Sequence, residues 1–163
     1  MTRRTFSFAR RAQGFTLLEV LVALLVLGVG LLGFALLQTM NVRFVQSSNY
    51  RTQATNLAYD LIDLMRVQRV ATLEGGSYTG ASFAAGAVTP PAGACTWPTG
   101  AAVTQAQNIA RWQCQVVKTL GEKASANVSL TNGIVTVGIS WGDQRWDKAN
   151  PDSTTTFTLV TRL

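Results

Sequence analysis

The chain has 163 residues, enough for one domain of ordinary size and an appendage; 47% are hydrophobic and only 13% charged, about half the usual globular share. A formal charge of +6 suggests nucleic acid, but four of the fourteen basic residues (Arg3, Arg4, Arg10 and Arg11) precede Gly14, and the remaining ten face eight acids, a formal +2. The basicity thus reads as the cytoplasmic flank of an apolar segment under the positive-inside rule, and no nucleic-acid partner is expected.

In chain order, residues 1–14 are polar and basic, with no periodic apolar face. The apolar segment begins at once after Gly14 and runs over residues 15–37, and Val20 to Leu37 holds no charged or strongly polar side chain. That is long enough to span a bilayer. A secretory signal is cut after its apolar region, whereas the junction here precedes it, so a cut would leave the span attached. Glu19 is the anomaly, a carboxylate four residues beyond Phe15 in an otherwise apolar run.

Over residues 38–70 the pattern turns amphipathic. Ala54, Leu57, Ala58, Leu61 and Met65 follow helical spacing, while Asp60, Asp63 and Arg66 fall off that stripe and read as a solvated face. With no proline before Pro90 and no glycine between Gly33 and Gly75, one helix from about Phe15 to about Val70 is predicted, on the order of 80 Å long. Gly75 and Gly76 are its stop signal.

Residues 71–163 form the globular part. Residues 75–100, rich in Gly, Ala, Thr and Pro, read as an irregular connection. Thr104 opens a T-x-x-Q capping box ahead of Ile109, Trp112, Val116 and Leu120, predicting a short helix over about 104–118. Val128 and Leu130 alternate with polar neighbours, Asn132-Gly133 signals a hairpin, and Val135, Val137, Ile139 and Trp141 line one strand face. After a polar loop, Phe157, Leu159 and Thr161 suggest a last strand. The expected fold is α+β, a long N-terminal helix packed on a small antiparallel β-sheet.

Candidate chemistry is sparse. Gly28-x-Gly30-x-x-Gly33 satisfies the dinucleotide pattern but follows no strand, and its small residues suit close approach of helices instead. Asn127-Val128-Ser129 fits a glycosylation sequon within a strand start. Asp143, Asp147, Asn150 and Asp152 share one loop, but their spacing is not that of an EF-hand and they read as turn acids. Trp112, Trp141 and Trp146 read as core or interface. If the N-terminus is cytoplasmic, Cys95 and Cys114 face an oxidising compartment and pair, a link worth roughly 3 kcal/mol by chain entropy. With no histidine, no free cysteine and no paired acids, no enzyme activity, metal or cofactor is expected.

The stretch GFTLLEVLVALLVLGVGLLG, behind a basic leader, resembles the signal and helix start of type IV pilins and pseudopilins. The resemblance implies cleavage by prepilin peptidase after Gly14 and N-methylation of the new terminal residue, Phe15. The family's near-invariant glutamate falls on Glu19. Charge position alone leaves two roles open, snorkelling to the headgroups or pairing with a neighbouring subunit's N-terminal amine; the surrounding motif favours pairing. A helix-loosening proline common in the middle of the span of major pilins is absent, and Gly28, Gly30 and Gly33 stand in that region.

Further along, VGLLGFALLQ, NLAYDLIDLMR, the cysteine pair and ISWGDQRW…TTFTLVTRL are most similar to PilV-type minor pilins. The similarity is strong to about Arg69 and thinner beyond. It implies a single-pass inner-membrane protein with a periplasmic C-terminal domain, later part of the pilus fibre at the cell surface. Its function would be pilus assembly initiation and tip structure, supporting adhesion and twitching motility. The implied partners are prepilin peptidase, other minor pilins, the major pilin, the inner-membrane assembly platform, a tip adhesin, and membrane lipid before assembly. The alternatives are a minor pseudopilin of a type II secretion system and, more distantly, a DNA-uptake pilin.

Overall fold

A computed structural model describes residues 14–100, 102–143 and 153–163. Helix α1 spans Leu17–Val67, followed by α2 at Arg69–Gly75, a 3-10 turn at Ser77–Ala81, α3 at Gln105–Leu120, and strands β1 (Ser125–Thr131), β2 (Ile134–Gly142) and β3 (Thr154–Arg162). The chain divides into two units, residues 1–43 and 44–163, and α1 runs through both.

In the first unit every described residue up to Val42 is exposed. Helix α1 is long and apolar enough to cross a bilayer, and its most apolar window is unburied within the chain. This stretch has no core of its own, so its apolar surface must be covered from outside.

The second unit has a core drawn from every layer. Ala54, Ala58, Leu61, Ile62 and Met65 of α1 are buried with Trp112, Val116 and Leu120 of α3. The inner face of the sheet supplies Ala126, Val128, Val135, Val137, Ile139 and Trp141. The sheet is an antiparallel meander in the order β1-β2-β3, with Val128 opposite Val137 and Val137 opposite Leu159. Its central strand therefore carries the fully buried row, as two-residue alternation requires. Asn132 and Gly133 both have positive φ, 51° and 75°, the backbone that a tight hairpin needs. The fold is α+β, with the long apolar helix followed by packing on a three-stranded antiparallel sheet.

Two local features differ from the sequence expectation. The helix stops at Val67 rather than running unbroken to about Val70, because Gln68 leaves helical geometry at φ −112°, ψ 42°. The Thr72 hydroxyl donates to the Gln68 and Met65 carbonyls at 2.9 and 3.3 Å, offering the freed backbone another partner. The chain then makes one more short helix, which Gly76 ends in the left-handed region at φ 58°. Nor is the 75–100 connection irregular throughout. Tyr78 and Ala81 of its 3-10 turn are fully buried, and Phe83 bridges to Ala126.

Trp112 joins the layers. Its indole Nε1 donates to the Leu57 carbonyl at 2.8 Å, its ring packs edge-on against Phe83, and it is fully buried. Replacing it with alanine opens a cavity and removes the indole's hydrogen bond to that carbonyl. Trp112→Ala is expected to cost about 3–5 kcal/mol in chemical denaturation of the detergent-solubilised chain; a loss below about 1 kcal/mol would show that the layers hold without it.

Candidate functional site

The N-terminal site is built on the first turn of α1. Thr16 stands just before the helix, and its hydroxyl accepts a hydrogen bond from the Glu19 amide at 3.2 Å, satisfying one of the orphan donors of the helix start. Glu19 lies in that first turn, where a negative charge meets the positive end of the helix dipole. T-x-x-E is itself a capping-box pattern, so sequence inspection could have found the role of Thr16 from the same signal used at Thr104.

Phe15, Glu19, Val20, Ala23, Leu24 and Leu27 line one shallow groove on a single helix face, as the spacing of four and three dictates. Phe15 is 84% exposed. A β-carbon built on Gly14 meets nothing within 4 Å, and the same holds at Gly28, Gly30 and Gly33. Nothing in the chain's own packing therefore requires glycine at these four positions. Residues 1–13, most of the expected leader, lie outside the described residues.

The distal unit contains two polar ties that the pattern did not reveal. Asp60 is not simply on a solvated face: its carboxylate accepts from the Arg111 guanidinium at 3.1 Å, with the arginine side chain only 5% exposed. Arg111 also lies 4.3 Å from the ring centroid of Trp97, an exposed indole. Asp143, read as a turn acid, is buried; its Oδ2 accepts from the Ser47 hydroxyl at 2.7 Å and the Thr155 hydroxyl at 3.3 Å. Asp147, Asn150, Asp152 and Trp146 lie outside the described residues. Trp112 and Trp141 are core residues, and Asn127 sits within β1.

Cys95 and Cys114 form a disulfide, with Cα atoms 5.9 Å apart, that fixes the connection onto α3. Among the described residues no group of three or more His, Cys, Asp or Glu side chains could hold a metal ion.

Residues 9–35 match the family model of the prokaryotic N-terminal methylation motif. No curated protein and no solved structure matches the chain. The motif indicates a type IV pilin-like or pseudopilin N-terminus and implies processing by prepilin peptidase. Pilin-like proteins are structural rather than catalytic, and the apolar N-terminal helix, one such helix among the described residues, fits membrane anchoring.

Tyr78 gives the distal unit a pH signature. Its phenol donates to Gln68 Oε1 at 2.8 Å, and burial raises its pKa above the ordinary 10.0, with the Asn108 hydrogen bond and the Arg111 charge opposing. The folded state holds this proton more tightly than the unfolded chain. Its contribution is therefore complete below the unfolded value and is lost as pH rises through the folded one. Tyr78→Phe should flatten the alkaline end of the stability-versus-pH curve; matching curves for variant and wild type would remove Tyr78 from that role.

Proposed function

We propose that the protein is a minor type IV prepilin of the PilV-like class, an assembly and tip component of the pilus. The observation that carries the reading is the matched methylation motif, whose second half is the exposed apolar start of α1. On this reading residues 1–14 are a cytoplasmic leader, Gly14 is the residue before the cut, and Phe15 becomes the methylated N-terminus. The open surroundings of Gly14 support this, because its glycine then serves the protease and not the fold. Residues 15–37 sit first in the inner membrane and then among partner helices, the 38–70 segment leads into the periplasmic domain of residues 71–163, and the Cys95–Cys114 link belongs to that oxidising side.

Glu19 gains its partner by the cut, which creates a positive amine at Phe15. In a helix bundle, the Glu19 carboxylate of one subunit pairs with the amine of its neighbour. The low dielectric of lipid or packed helices makes an unpaired carboxylate costly, so the pair sets axial register more than it adds net stability. Gly28, Gly30 and Gly33, which the chain itself does not need, let neighbouring backbones approach.

A minor pseudopilin of a type II secretion system shares this mechanism and is the second reading. The cysteine-bearing distal domain favours the pilus. DNA uptake is third, since only a formal +2 remains after the leader.

Gly14→Val is expected to abolish leader removal; recovery of the shortened, methylated form from that variant would refute the processing site. Glu19→Val should insert in the membrane but fail to co-purify with partner minor pilins, and normal piliation of that strain would contradict the register role. Deleting the gene should remove surface pili and twitching while secretion of exoproteins continues. The opposite phenotype would assign the chain to the secretion machine.

A further inference from the structure

The distal unit contains a groove that the fibre reading does not use. It is open, about 430 Å³, and runs between one face of α3 (Gln107, Ala110, Arg111, Cys114) and the connection that includes Val88, Pro91 and Pro98. The disulfide closes it at one side, because Cys114 lines it and Cys95 holds the connection there.

The two walls are chemically unlike. Among the described residues no hydrogen bond is made by residues 88–100, although their backbone carries the usual donors and acceptors except at the three prolines. The connection is held by the disulfide and by the Trp97–Arg111 stack. The other wall is helical, and its amides are already engaged: Gln107 caps Thr104, and Gln113 donates to the Gly80 and Ala81 carbonyls.

Among the described residues Arg111 is the one charged side chain lining the groove, and no acid lines it. Its planar fork carries five N–H donors, and its carboxylate contact is a single bond from Nη2 to Asp60. Trp97 over the guanidinium holds the plane in place, so little side-chain freedom remains to be lost on binding. A fixed guanidinium with spare donors is matched by a carboxylate, which takes two parallel bonds from it. A connection whose backbone N–H and C=O groups make no hydrogen bond within the described residues leaves them for a peptide chain, whose own N–H and C=O groups can answer them and whose apolar side chains fit Val88, Pro91 and Pro98.

We propose that this groove binds an extended acidic segment of a partner protein, with one carboxylate paired to Arg111. A uronic-acid glycan offers the same carboxylate but lacks the alternating amides, so the peptide is the better match. The proposal is independent of whether the chain serves a pilus or a secretion fibre.

Fluorescence anisotropy on the full chain in detergent micelles tests it, with a labelled, end-blocked peptide alternating aspartate and valine as probe. Saturable binding is expected, absent for the lysine–valine counterpart and weakened at least about 10-fold by Arg111→Gln, the size expected for a lost charge-assisted pair. Trp97→Ala should weaken it several-fold. Its side chain is 66% exposed, so this variant still reads the groove if Arg111→Gln does not fold. The proposal is overturned by no saturable binding, by equal binding of the lysine peptide, or by affinity unchanged in the folded variants. Tighter binding of oligogalacturonate, displaced by the aspartate peptide, would assign the groove to a glycan and equally overturn it.

Discussion

The first half of α1 presents an apolar surface for which the chain provides no cover. Leu21, Leu24, Leu31, Phe34 and Leu37 are all more than half exposed, and no described residue before Arg43 is even partly buried. Exposed leucine at this density is unfavourable in water by roughly 1.5–3 kcal/mol per side chain relative to burial. A bilayer or a set of neighbouring helices must therefore provide what the chain lacks. Much else depends on this: the basic residues before the helix, the placement of Glu19 at its start, and the need for a separate unit that folds on its own core.

That second unit solves the opposite problem. It must give one side of the same helix a partner while leaving the other side polar. Ala54 and Ala58 are small, one turn apart and fully buried, and Trp112 bonds the carbonyl of Leu57 between them. Helix α3 thus approaches α1 at a point where side chains are short. The sheet completes the core through β2, and the Asp143 carboxylate ties Ser47 of α1 to Thr155 of β3. Covalent constraint is reserved for the connection over α3, where hydrogen bonds are lacking.

Much of this was legible in sequence because it depends on periodicity. The stripe from Ala54 to Met65, the capping box at Thr104, the Asn132-Gly133 turn and the buried row from Val135 to Trp141 each follow from local spacing, and each is present. Features set by contacts between distant residues were not legible. Asp60 looked solvated because its partner, Arg111, is 51 positions away. Tyr78 sits in a Gly- and Thr-rich stretch that gives no core signal, yet it is fully buried. Trp97, beside Pro98 in the same connection, belongs to no periodic apolar pattern. The break at Gln68 has no signal in local spacing: Gln68 leaves helical geometry where the Thr72 hydroxyl bonds the Met65 and Gln68 carbonyls, while Thr52 and Thr55 make the same i−4 bond within the unbroken helix. At the N-terminus the motif announced Gly14, Phe15 and Glu19 together, but the capping role of Thr16 was hidden within the same four residues.

On the proposed reading, a cut after Gly14 leaves the apolar helix with a charged amine at Phe15, four residues from the Glu19 carboxylate. Intact-mass and N-terminal fragment analysis of the protein from purified membranes or fibres tests this most directly. The account predicts a chain beginning at Phe15, carrying one methyl group on its amine and an intact Cys95–Cys114 link. A chain retaining residues 1–14 in assembled fibres, or one cut beyond Leu37 so that the apolar helix is lost, would contradict it.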